Sequence, residues 1–256
     1  MRVLVLLLAL AMPVVAYFNQ RGAFGPDNGQ ISNQYPTLLV AAGFAFAIWG
    51  LIFLLDAVFG VWQLRAKARS NAALARVRPW AAGGFALTAA WMPVFSMGRA
   101  DNMMFWWALA IIWGALACMA RAAIILSDDR TPMPGQRWLA DVPLSLHAGW
   151  LSLAAFLNTA QVIVAYQLLP TDRMLPWSLP LQVTAGVVLM ALNARMRGNI
   201  PYALAAVWGL VAAWFKQKDS DLPGAEVAAM VALVVAITLV AQTAWLRLRR
   251  RRVSTR

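Results

Sequence analysis

Apolar runs, each about the thickness of a bilayer, alternate with short polar breaks along the whole chain. They fall at about 3–18, 38–63, 80–97, 104–125, 142–168, 176–194, 200–215 and 226–246. A helix of roughly 20 apolar residues crosses a hydrocarbon core, and none of the runs shows the period-2 alternation of a membrane barrel. The pattern therefore predicts an all-α, polytopic membrane bundle of about eight transmembrane helices. No connection is long enough to fold as a soluble domain. On a helix, residues three and four apart share a face, and three runs carry an aromatic and polar stripe at that spacing. The second run aligns Phe46, Trp49, Phe53 and Asp56; the third aligns Phe85, Thr88, Trp91 and Phe95. The fifth aligns His147, Trp150, Ala154, Asn158 and Gln161. Weaker faces follow in the sixth run (Gln182, Gly186, Leu189, Asn193) and the eighth (Thr238, Gln242, Trp245). Stripes of this kind either glue helices together or line a shared cavity, and the spacing alone leaves both open.

Composition sharpens this picture. Hydrophobic residues make up 62% of the chain and charged residues only 12%, half the share of a soluble domain. There are 13 tryptophans. Trp62, Trp80, Trp106, Trp107, Trp138, Trp177, Trp214 and Trp245 lie near run ends, where interfacial indoles belong. Trp49, Trp91, Trp113, Trp150 and Trp208 lie well inside runs, where each N–H needs an acceptor or forfeits a hydrogen bond. Interior indoles on several helices point to aromatic walls that face one another. A single cysteine, Cys118, and a single histidine, His147, exclude an intrachain disulfide, a cysteine zinc cluster and a multi-histidine metal site. The sequence shows no Ser-His-Asp arrangement, no H-E-x-x-H, no phosphate-binding glycine loop and no paired interior carboxylates. No enzyme activity and no cofactor are expected.

The net charge of +12 is explained by its placement. Alternate connections, counted with Arg2 and the tail, hold 17 of the 22 basic residues; the others hold five. The positive-inside rule then puts both termini in the cytoplasm, as for a protein of a bacterial inner membrane. The arginine-rich tail, residues 247–256, reads as a topology anchor, with contact to anionic lipid as a second reading. A nucleic-acid partner is not expected. The first run has a second reading, since Arg2, the apolar stretch and Val14-Val15-Ala16 also fit a signal peptide cleaved after Ala16. Two ionisable residues in spans are functional candidates by default. Asp56 lies about 13 Å from the cytoplasmic charges at about 1.5 Å per residue, and is expected to be satisfied by a neighbouring helix. His147, about a turn inside its span, is expected as a hydrogen-bonded interfacial residue.

Three segments resemble motifs of the TspO/MBR family, the tryptophan-rich sensory proteins related to the mitochondrial translocator protein. Phe46-Ala47-Ile48-Trp49-Gly50-Leu51-Ile52-Phe53 is similar to F-x-x-W-x-x-L-Y, with Phe53 in place of the tyrosine. Leu87-Thr88-Ala89-Ala90-Trp91-Met92-Pro93-Val94-Phe95 is similar to L-N-x-x-W-S-P-L-F, with Thr88 in place of the asparagine. Trp150-Leu151-Ser152-Leu153-Ala154-Ala155-Phe156-Leu157-Asn158 resembles W-x-S-F-A-x-x-L-N. The resemblance covers roughly residues 1–168. It implies a TspO-like five-helix membrane core, followed by three additional helices over 169–246. It also implies a bundle that binds a tetrapyrrole such as protoporphyrin, or a sterol-like molecule, often as a homodimer. Carried over by position, Trp49, Phe53, Thr88, Trp91, Trp150, Ala154 and Asn158 would line or support the ligand pocket.

Two functions follow. One is a membrane protein that binds a flat hydrophobic ligand in an aromatic intramembrane pocket, as sensor, carrier or modulator. The other is a secondary transporter of a small solute, with Asp56 as coupling carboxylate and His147 as a second coupling candidate.

Overall fold

The computed structural model describes residues 1–254 and is all-helical. In chain order its helices are α1 (Arg2–Gln20), α2 (Asn28–Gln34), α3 (Ile48–Trp62), α4 (Ala66–Arg69), α5 (Ala72–Ser96), α6 (Met104–Asp128), α7 (Val142–Ala165), α8 (Leu175–Arg195), α9 (Ile200–Lys218) and α10 (Ala225–Ser254). Thr255 and Arg256, the end of the expected basic tail, lie outside the described residues, as do the side chains of Arg69 and of residues 250–254. Among the described residues six stretches are long and apolar enough to cross a membrane: α1, Gly43–Trp62, α6, Arg137–Ala165, α8 and Ala225–Arg249. The remaining long helices, α5 and α9, have the length but are less apolar. Arg76, Arg78, Pro79 and Pro93 dilute α5, and Lys216 and Lys218 dilute α9.

Local signals set the helix starts. Asn71 accepts a hydrogen bond from the Leu74 N–H to cap α5, and Asn199 caps α9 through the Tyr202 N–H. Asp27 and Gln30 form a capping box on α2, each such cap satisfying amides that the first turn leaves free. Proline occupies the first turn of α7, α8 and α9, where its missing N–H has no intrahelical partner to lose.

The second apolar run departs from a plain helix. Residues 35–42 are irregular, Gly43–Ala47 is a 3-10 turn, and the α-helix begins only at Ile48. Residues 37–41 of this segment are buried, and buried carbonyls need donors. Gln217 of α9 donates to the carbonyls of Thr37 and Val40, Gln182 of α8 donates to that of Leu38, and the Ala42 N–H donates to the Ala212 carbonyl. Amides on helices distant in sequence thus substitute for the missing helical hydrogen bonds.

Helix α7 runs through the centre, with α3, α6, α8 and α9 packed around it, and almost every residue of it is buried. Gly149 permits the closest approach, because a Cβ there would overlap the Tyr202 carbonyl of α9. Polar contacts fix the same seam: Tyr202 Oη donates to Ser152 Oγ at 2.9 Å, and Asn199 Nδ2 to Ser145 Oγ at 2.9 Å. The seam joins α9 to the hydrophobic cluster shared by α1, α3, α5, α6 and α7. Helix α1 enters that cluster through Val5, Ala9 and Met12, against α5 and α3. Helix α10 covers α8 and α9, and Asn193 Nδ2 of α8 donates to Gln242 Oε1 at 2.8 Å and to Thr243 Oγ1 at 2.9 Å.

Candidate functional site

The stripes of α3, α5 and α7 converge. The Trp49 ring lies 6.2 Å from that of Trp91 and 6.0 Å from that of Trp150. Trp49 stacks on Phe53 at 5.3 Å and Trp91 on Phe95 at 4.9 Å, while Phe46 meets Trp150 edge-on. Rings at these separations gain beyond simple burial through offset or edge-to-face geometry. The polar end of the α7 stripe meets the cluster: Trp91 Nε1 donates to Asn158 Oδ1 at 2.9 Å. One turn further out, Gln161 Nε2 donates to Ser32 Oγ of α2 at 2.9 Å, fastening the short helix over the aromatic layer. The indole N–H groups of Trp49 and Trp150 are buried and have no hydrogen-bond partner, so the cluster holds two unused donors.

Two voids border these rings, and they are very different. A void of about 20 Å³ inside the cluster is lined by Trp49, Trp91, Trp150, Ala154 and Asn158, among others. That is room for a single water. A cleft of about 920 Å³ lies on the other side of Trp49, between the second half of α1 and the first half of α3. Phe46, Trp49, Phe53 and Met92 form its inner wall, Pro13 and Ala16 its α1 side, and Asn19, Gln20, Asp27 and Asn28 its polar end. It opens past Gly50 and Leu54, both exposed, and a Cβ at Gly50 would meet nothing within 4 Å. Phe46 and Trp49 line both voids and so form the partition between them. The polar end is braced by Asn19 Nδ2 donating to Asn28 Oδ1 at 3.1 Å, with Ser96 Oγ 2.8 Å from Asn19 Oδ1.

On the opposite side of the aromatic layer from α2 lies a chain of three buried polar groups. His147 Nδ1 is 2.8 Å from Asp56 Oδ2, and His147 Nε2 is 3.2 Å from Thr88 Oγ1. His147 also stacks on Phe85 and meets Trp49 in a T-shaped contact with ring centroids 5.7 Å apart. The histidine is hydrogen-bonded, as its position in the fifth run suggested, but lies deeper in its helical segment than that run placed it. A π turn over Arg137–Asp141 leads directly into α7 and starts the helical segment five residues earlier, which carries His147 to full burial. The order carboxylate, imidazole, hydroxyl is that of a nucleophilic triad, an arrangement with no signature in the sequence because its members lie 59 and 91 residues apart. None of the three lines either void, so no substrate carbonyl has access to Thr88 in this conformation. Among the described residues no cluster of His, Cys, Asp and Glu is arranged to hold a metal ion.

Of the residues singled out from sequence, Trp49 and Phe53 line the cleft, while Trp91, Trp150, Ala154 and Asn158 back the partition from the inside. Thr88, Asp56 and His147 form the polar chain. The other interior indoles turn away: Trp113 and Trp208 are exposed on the outside of the bundle, where their N–H groups reach Thr159 Oγ1 and the Ala45 carbonyl. Trp62, by contrast, is buried despite lying at a run end. Sequence reasoning missed the α1 face of the cleft, Gly50, and the polar end from Asn19 to Asn28. The available signal was the Asn, Gln and Gly content of residues 19–36, read only as a connection.

A family model described as "TSPO-like protein" matches residues 2–245, continuing through α8, α9 and most of α10. No curated protein and no solved structure matches the chain.

Proposed function

The chain belongs to the TSPO-like protein family, and from that premise we propose that it binds a flat hydrophobic ligand of the tetrapyrrole or sterol class and acts as a sensor, carrier or modulator. It is a membrane protein whose interior holds a buried aromatic cluster. In our reading all eight long helices cross the membrane, with both termini in the cytoplasm. The five-helix core over 1–168 carries the ligand site, and the helices over 169–246 brace it through α7.

The observation that carries this reading is the cleft of about 920 Å³ with the stacked Trp49–Phe53 face as its wall. Its volume is in the range of small-molecule sites, roughly 300–1,000 Å³, whereas the void inside the cluster is far too small for a tetrapyrrole. A planar ligand in the cleft would stack on Trp49 and Phe53, keep its polar groups near Asn19, Gln20 and Asn28, and enter from the bilayer past Gly50 and Leu54. Trp91, Trp150, Ala154 and Asn158 then support the wall from behind rather than touch the ligand.

Protoporphyrin IX titrated into purified protein, with tryptophan fluorescence as readout, tests the proposal. Saturable quenching in wild type is expected to weaken at least about tenfold in Gly50→Phe, whose ring would obstruct the mouth of the cleft, a loss of the size of a binding hot spot. The bundle itself should remain intact, because the Gly50 Cβ direction is open space. Equal quenching in the two proteins would place the ligand elsewhere.

A further inference from the structure

The buried chain Asp56–His147–Thr88 lies directly beside the aromatic layer. Thr88 and His147 stand three residues before Trp91 and Trp150, and Asp56 seven after Trp49, so each polar group shares a face with an indole. All three are sealed from solvent. Packing does not demand them, since well-fitted apolar residues commonly hold helices together as well as a buried ionisable pair does. Ionisable residues inside a span mark proton and ion sites by default.

The geometry is suited to counting protons. The contact between Asp56 Oδ2 and His147 Nδ1 holds one proton, whichever group carries it. The contact between His147 Nε2 and Thr88 Oγ1 works in both senses: a protonated Nε2 donates to the hydroxyl, and a bare Nε2 accepts from it. The chain therefore keeps both hydrogen bonds with one proton more or one fewer, at net charge zero or minus one. The groups that face the pair are His147 and Asp56 for each other, Thr88 and Phe85 from α5, and Trp49 from α3. The buried cation of α5, Arg78, is held at another level by Gln63 and the Ala68 carbonyl.

We propose that Asp56, His147 and Thr88 form a proton-binding site, linked through Trp49 to occupancy of the cleft between α1 and α3. Trp49 is the physical link: its ring packs perpendicular to that of His147, and the same indole is part of the cleft wall. When the proton leaves Nε2, the Thr88 hydroxyl rotates to donate there; when it returns, Nε2–H donates to Oγ1. The proton site stands on its own geometry, whereas the linkage rests on the ligand reading given above.

His147 is the single histidine of the chain, so ¹⁵N-imidazole labelling reports this residue alone. In the full-length protein in lipid nanodiscs, its ring nitrogens should show one pH-dependent transition. Asp56→Asn and Thr88→Val should each displace it by about one pH unit, a tenfold change in proton affinity. Thr88→Val keeps the side-chain shape and so keeps the test available if Asp56→Asn does not fold. Nitrogen shifts that are constant over the whole pH range of the folded protein, or identical in wild type and both variants, overturn the proton site. Protoporphyrin IX should also displace the transition by about one unit, and by reciprocity its affinity should differ about tenfold across it. Porphyrin that quenches tryptophan but leaves the transition in place overturns the linkage. Absence of quenching refutes the ligand reading instead. Gly50→Phe, which places a ring in the mouth of the cleft, then decides the linkage: a displaced transition supports it and an unmoved one overturns it.

Discussion

Replacing Trp91 and Trp150 by phenylalanine should give unequal losses of stability, although both indoles are buried in the same cluster. Each substitution removes the same atoms from a site with almost no exposure, so the transfer and cavity terms are closely matched. The difference lies in the N–H. Trp91 donates to Asn158 Oδ1 at 2.9 Å, and its loss strands a buried amide oxygen. Trp150 donates to nothing, so its loss removes an unsatisfied polar group from an apolar interior. Leaving a buried acceptor unpaired costs about 1–3 kcal/mol. Trp91→Phe should therefore be less stable than Trp150→Phe by about that amount. Thermal or denaturant unfolding in one detergent measures both variants at equal protein concentration. A double-mutant cycle with Asn158→Leu isolates the hydrogen bond: the excess of the Trp91→Phe penalty over that of Trp150→Phe should vanish in that background, and the Trp150→Phe penalty should stay the same. Equal losses, or a larger loss at Trp150, would mean that Trp150 has a partner for its N–H. The picture of unused donors in the aromatic layer would then fail.

Two other outcomes follow from the fold. Reporter fusions after Arg197 and at the C-terminus should both report cytoplasm, and a fusion after Lys218 should report the outside; a C-terminus reporting outside would break the eight-span reading. Gln217→Ala should destabilise the protein by about 1–3 kcal/mol, because the carbonyls of Thr37 and Val40 lose the donor that this side chain provides. Gln217→Glu should do the same, since a carboxylate has no N–H to give, and wild-type stability in both variants would show that another group or water serves the irregular segment.

Hydropathy and spacing determined much of this protein from the chain itself. Apolar runs predict helices because backbone groups in hydrocarbon must be satisfied within the segment, and that constraint is local. The three-and-four spacing that aligns Phe46, Trp49 and Phe53, or Trp150, Ala154 and Asn158, follows from helix geometry in the same way. Which faces turn inward towards one another was decided only in three dimensions. Trp113 and Trp208 are as interior to their runs as Trp91, yet they point outward, because their helices bury other faces against α7 and its neighbours. The start of α3 escaped the pattern since residues 35–42 are apolar but not helical, and only the distant Gln182 and Gln217 make that backbone tolerable. The Asp56–His147–Thr88 chain escaped it for a related reason. Its members sit on separate helices, and long-range contact depends on helix rotation and depth, here shifted by the π turn before α7. The cleft likewise depends on how α1 leans against α3, a packing outcome that no residue of either helix specifies alone.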